Sequence, residues 1–285
     1  MNEEQIMSQS RTLKLLSGMQ TIFYGQFRAA VLLFGVIITC YFAAPAEGNE
    51  QFQGIKPFQP GEVLTYKGAW GKIPAGELKM EVLPGTKLDG IDVHHFVMTT
   101  KTNPQVDLIY KIRDRQESYV DSAMTCSLLY KKKTISKHPR DVRINFDWKN
   151  MKATYSNFGK AGMPIGILPG SFDPLALFYV IRMQSLKENS AFNILLTDGK
   201  QFMKVLVHVG KKSRVKIGKR TYDIFEVTPD MSAFDQIKEK ASFSDQSQIK
   251  VWITDDEKKI PVKIRSKVGI ISFDFDFIPE SSSVQ

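Results

Sequence analysis

Four histidines, two cysteines and scattered carboxylates are the residues of this chain suited to acid–base, nucleophilic or metal chemistry, and their spacing argues against each. His94 and His95 are adjacent in Asp92-Val93-His94-His95-Phe96-Val97, which reads as a strand. Their side chains therefore leave on opposite faces and cannot chelate one ion together. His138 falls in a polar loop and His208 on a strand over residues 204–209, with no HExxH, HxH or Cys/His pattern around them. No Gly-x-Ser-x-Gly elbow, phosphate loop or dinucleotide fingerprint occurs. Cys126 has no nucleophile signature and reads as a small buried hydrophobe. Asp255-Asp256-Glu257 lies between Trp252-Ile253-Thr254 and Ile260-Pro261-Val262, so it reads as a hairpin tip before a calcium site. Two carboxylates that meet only in space, as in a glycosidase, leave no spacing signal, and that alternative stays open. No cofactor, metal or catalytic residue is expected.

Binding chemistry is what remains. Trp70, Trp148 and Trp252 fall in strand-like runs, and Phe178 and Tyr179 sit in an apolar helical segment. Most such aromatics are core, but a subset lining a cavity would hold an apolar ligand. Arg182 directly follows greasy helical turns; its guanidinium either exits at the helix end or is buried against a carboxylate or a bound anion. These six residues are the candidate ligand-binding set.

Strands must position them. Asp141-Val142-Arg143-Ile144-Asn145-Phe146-Asp147-Trp148 alternates at every step, placing Val142, Ile144, Phe146 and Trp148 on one face. Ile271, Phe273, Phe275 and Phe277 alternate with Ser272, Asp274 and Asp276, and Val262 and Ile264 with Lys263 and Arg265. Pairing across Lys267-Val268-Gly269 would bring Lys263 and Arg265 beside Asp274 and Asp276, a solvated charge ladder that holds register. Turn signals at Pro84-Gly85, Asp89-Gly90, Lys149-Asn150, Asp198-Gly199, Gly210, Gly218 and Asp255-Asp256 separate some twelve to fourteen strands. The pattern predicts a mainly β protein, a curved antiparallel sheet or partial β-barrel. One helix, about 174–187, interrupts it: Asp173-Pro174 supplies the cap and first position, and its first turns are apolar all round. Such a rod fits inside the concave face as a plug. The uncharged loop Gly162-Met163-Pro164-Ile165-Gly166-Ile167-Leu168-Pro169-Gly170 before it packs on the core or lines a cavity.

The chain opens with Arg11, Lys14 and Arg28, then an uncharged apolar run of 16 residues over 29–44, then Ala44-Pro45-Ala46. That is the order of a secretory signal. Residues 1–46 are expected to be a signal peptide or an N-terminal membrane anchor, the latter associating with the membrane through residues 21–44, and 47–285 the β-rich domain. Both readings place the domain outside the cytoplasm, periplasmic or anchored facing the periplasm; a cytosolic chain is the third reading. Net charge is +9, with three basic and two acidic side chains in residues 1–46, so +8 belongs to the rest. Clusters at Lys131-Lys132-Lys133, Lys137-His138-Pro139-Arg140 and residues 211–220 read as solvated faces or as attraction for anionic lipid or polysaccharide. No nucleic acid is expected as partner.

Phe58-Gln59-Pro60-Gly61-Glu62-Val63-Leu64-Thr65-Tyr66 followed by Trp70-Gly71-Lys72-Ile73-Pro74-Ala75-Gly76 resembles the opening of the bacterial domain of unknown function DUF3108. Asp107-Leu108-Ile109-Tyr110-Lys111-Ile112-Arg113-Asp114 with Glu117-Ser118-Tyr119, the segment from Asp173-Pro174 to Arg182, and Val251-Trp252-Ile253-Thr254 through Ile264 resemble its later blocks. The resemblance implies an exported, β-rich envelope protein and supplies no catalytic residue. The expected function is non-enzymatic binding or chaperoning of a lipid-like or anionic envelope-derived ligand between sheet and helix. An enzyme acting on cell-envelope polysaccharide and a structural or assembly protein are the alternatives.

Overall fold

Alternating apolar side chains need one face covered, and here a single curled sheet covers its own. The computed structural model describes residues 56–108, 111–230, 247–268 and 271–284, which all fall in one compact unit. The segment 1–46, with the expected signal or anchor, lies outside the described residues. Sixteen strands run β1 (Val63–Trp70), β2 (Ile73–Leu88), β3 (Ile91–Thr102), β4 (Arg113–Asp121), β5 (Ser127–Ile135), β6 (Arg140–Asp147), β7 (Lys152–Asn157), β8 (Lys160–Ala161), β9 (Ile165–Gly166), β10 (Ser171–Phe172), β11 (Ser190–Thr197), β12 (Phe202–Ile217), β13 (Arg220–Asp230), β14 (Ser247–Thr254), β15 (Pro261–Val268) and β16 (Ile271–Phe277). Two helices are described, α1 (Pro104–Asp107) and α2 (Ala176–Met183).

Sheet order is β10-β11-β12-β13-β14-β15-β16-β1-β2-β3-β4-β5-β6-β7-β8, with β9 on β7. β1 thus zips the start of the domain to its last strand, β16. Neighbours are antiparallel except the two-residue pairing of β10 with β11. No ladder joins the ends β10 and β8, so the sheet is not a closed barrel. It nevertheless curls until the β11–β12 turn lies on β6 and β7: a Cβ on Gly199 would come within 3.0 Å of side-chain atoms of Ile144 and Tyr155. Gly199 also has φ +78°, so the turn needs glycine for both conformation and close approach.

Two expected turns are not turns. Pro84-Gly85 lies inside β2, where the ladder to β3 shifts register between Leu83 and Thr86. Gly210 lies inside β12 at a shift between Val209 and Lys212. Proline and glycine break a ladder locally without ending the strand, because the bulge passes the missing donor and the flexible residue to the edge of the pairing.

The helix is shorter than the expected 174–187. Pro174 and Leu175 form a turn, α2 begins at Ala176, and Gln184 is extended with ψ 151°. Beyond the helix end the Gln184 carbonyl has no helical partner and accepts from Lys259 Nζ at 2.6 Å. All of α2 except Phe178 is buried among inward side chains that include Leu64, Phe96, Ile144, Val207 and Val251. The greasy loop divides: Ile167 is buried and Ile165 packs on the core, whereas Met163 and Leu168 are exposed.

Candidate functional site

The helix is held at both ends by buried polar groups. Asp173 Oδ1 accepts the N–H groups of Leu175 at 2.9 Å and Ala176 at 3.0 Å, which is the capping role read from the sequence. Its Oδ2 accepts the hydroxyls of Ser118 on β4 at 2.5 Å and Ser127 on β5 at 2.6 Å. Burial pushes the Asp173 carboxyl up, and these bonds oppose the shift. Trp148 joins the same node, donating its indole N–H to the Ser127 carbonyl at 2.9 Å.

At the other end, fully buried Arg182 meets Glu62 bidentately at 2.6 and 2.8 Å. Its guanidinium also donates to the carbonyls of Pro57 at 2.7 Å and Lys258 at 2.9 Å. Burial works against its charge, but the Glu62 contacts outweigh it and raise its pKa. Of the two fates read for Arg182, burial against a carboxylate is the one observed. Tyr179 stacks on Phe96 with centroids 3.7 Å apart, and Phe58 meets both rings edge-on.

Away from α2 the inward face changes character. Register places Phe277, Tyr66, Leu78, Thr100, Asp114, Thr134 and Arg140 in one row across seven adjacent strands. Tyr66 is fully buried, and three atoms of this row have no hydrogen-bond partner among the described residues: Tyr66 Oη, Asp114 Oδ1 and Thr134 Oγ1. Burial lifts the Tyr66 phenol well above its usual value, so it stays a neutral donor. At ~4.8 Å per strand, Tyr66 and Asp114 stand ~14 Å apart along the row and Asp114 and Thr134 ~5 Å. Beside them Lys132 Nζ approaches Asp114 Oδ2 at 3.2 Å, and Tyr130 donates to Gln116 at 2.8 Å. Leaving buried polar atoms unpaired costs about 1–3 kcal/mol each, so such a row is an expensive feature of an otherwise apolar face.

Beyond the row the face turns aromatic. Phe275 lies against Gly68, where a Cβ would be 3.0 Å from the ring. Trp70 stacks with Phe273 at 6.4 Å, both partly exposed. Of the six candidate residues, Phe178, Tyr179 and Arg182 share α2, Trp148 joins its N-terminal node, and Trp70 marks the opposite end of the inward face. Trp252 stands apart: it pairs with Lys263, carries the Arg265 guanidinium 5.5 Å over its ring, and faces the side opposite Val251. The triple-lysine cluster also divides, since Lys132 shares the inward side of Tyr130 while Lys131 and Lys133 face out. Sequence reasoning missed Tyr66, Asp114, Lys132 and Thr134.

His94 and His95 do take opposite faces: His94 lies 5.8 Å from Phe96 by ring centroids, and His95 stacks on Tyr119 at 4.2 Å. The Asp255–Glu257 tip is a turn, with Asp256 Oδ1 accepting from Thr254, Lys258 and Lys259. Among the described residues no group of three or more His, Cys, Asp or Glu is placed to hold a metal ion.

Residues 65–276 match the family described as "Protein of unknown function (DUF3108)". The chain belongs to that family. The matched residues include Asp114, Ser118, Asp173 and Arg182, and so hold one helix socket, half of the other and part of the polar row; Glu62 lies just before them. No curated protein matches the chain. Among solved structures this DUF3108 chain is similar to the crystal structure of a beta-barrel-like protein of domain of unknown function DUF1849 from Brucella abortus. Identity is 12% and TM-score 0.51, covering 78% of this chain and 97% of that one. At that identity the likeness shows the fold alone.

Proposed function

We propose that this protein is a non-enzymatic binding protein of the cell envelope whose inward face takes a lipid-like ligand, polar group at the row and hydrocarbon against the aromatics. One observation carries the reading: Tyr66, Asp114 and Thr134 hold buried unpaired oxygens in a single row, bounded by the Phe96–α2 packing on one side and by Trp70, Phe273 and Phe275 on the other. A face graded from apolar to polar to aromatic suits an amphiphile and gives an entirely polar substrate little to hold. The basic, then apolar, then Ala44-Pro45-Ala46 start of the chain supports export, which would bring the protein to envelope lipids.

Native mass spectrometry of protein recovered under gentle conditions from its own compartment tests this. Co-purified amphiphile, lost on replacing Phe273 and Phe275 by Ser, is the expected result. Protein that is repeatedly empty and fails to take up any added amphiphile overturns it.

A further inference from the structure

Resting on the amphiphile reading, we infer that the ligand's head group carries hydrogen-bond donors, hydroxyl or ammonium, that bind Asp114 and Thr134; a bare anion does not suit this site. The two residues are direct cross-strand partners on β4 and β5, so their side chains share the inward face about 5 Å apart. Asp114 has one oxygen engaged by Lys132 at 3.2 Å, while Oδ1 is buried without a partner among the described residues. An ionised carboxylate oxygen only accepts, so whatever completes it must donate. Thr134 Oγ1, also buried and unpartnered, accepts or donates. A group that is only an acceptor would leave Oδ1 unpaired and stand beside a like charge; a hydroxyl or ammonium satisfies both atoms.

Lys132 sharpens the choice. Its side chain is 32% exposed against 16% for Asp114, so its ammonium reaches the wetter edge of the pair. A phosphate linking a donor-bearing head to acyl chains would find a cation there while the donors turn to Asp114. The site therefore selects by what the head group donates and tolerates one negative charge behind it. Polyol and amine heads share this chemistry.

The test uses the protein as recovered from its own compartment, freed of lipid, and three phospholipids with identical dioleoyl chains: phosphatidylethanolamine, phosphatidylglycerol and phosphatidic acid. Binding is read at about pH 9, where the phosphatidic acid phosphate keeps no P–OH donor, by Trp fluorescence and native mass spectrometry. Phosphatidylethanolamine or phosphatidylglycerol should bind at least about ten-fold more tightly than phosphatidic acid, the size of one well-placed buried hydrogen bond. Which of the two leads distinguishes an amine from a polyol head. Asp114→Asn, which can keep its amide oxygen on Lys132 and turn its NH2, a donor, toward the ligand, should bring the ratio close to one, and Thr134→Val should lower it while keeping the fold intact. Phosphatidic acid binding as tightly as the others, or a ratio that neither variant moves, overturns the head-group inference and leaves the amphiphile reading standing. Failure of all three lipids to bind overturns the amphiphile reading itself.

Discussion

Arg182 and Glu62 lie 120 positions apart and meet bidentately in the fully buried interior, tying the last turn of α2 to the residue before β1. Removing one partner of such a pair strands the other charge. Arg182→Ala or Glu62→Ala should each destabilise the fold by about 3–5 kcal/mol, whereas an apolar double replacement, Arg182→Met with Glu62→Leu, should recover most of that loss. Urea denaturation followed by fluorescence measures it; a single variant within about 1 kcal/mol of wild type would show that the pair contributes little.

Asp173 should matter through docking as well as capping. Asp173→Ala leaves the Ser118 and Ser127 hydroxyls and the N–H groups of Leu175 and Ala176 without an acceptor, with an expected loss of about 2–4 kcal/mol. Ser118→Ala, which removes one donor and keeps the cap, should lose about 1 kcal/mol. Equal losses in the two variants would mean that the cap adds nothing.

The β15–β16 ladder gives a pH dependence. Arg265 donates to Asp274 at 2.6 and 2.7 Å, and this bond holds the Asp274 carboxyl below its usual range. A depressed folded pKa means stability that is complete above the unfolded value near 3.8 and fades as pH falls through the lower folded value. Asp274→Asn should flatten the acid limb of a stability–pH curve below about pH 4 and leave its slope near neutrality unchanged. An unaltered acid limb would count against the assignment.

Cys126 should be a sluggish thiol. Burial, with Asp121 adding to it, pushes its pKa up to about 11 from 9.0. That lowers the thiolate fraction near neutrality about 100-fold, so iodoacetamide at pH 8 should label it far more slowly than a free-cysteine peptide. Labelling at the peptide's rate would contradict the assigned environment.

Legibility followed geometry. Lys263 and Arg265 opposite Asp276 and Asp274 could be read in advance because a short connection fixes register and strict alternation fixes the face. The ladder is less solvated than expected, with Lys263 14% exposed. The plug could also be read, since Asp173-Pro174 and an apolar run need no partner to be recognised. Lys132 could not: Leu129 and Tyr130 are both buried, so alternation along β5 alone does not say which neighbour points inward. That is decided by pairing with Gln116 and Val142 on two other strands. The bulges at Pro84-Gly85 and Gly210 mimic turns for a related reason, because local conformation is shared and only the continuing ladder separates them.

Anchoring α2 by an acid at its head and a guanidinium at its tail has a kinetic corollary. Withdrawing the plug would strip both buried polar groups of their partners, so that rim should open only when the molecule unfolds as a whole. Amide exchange along residues 176–183 should accordingly track global stability, and on the proposed function a ligand should enter by the rim that bears Trp70.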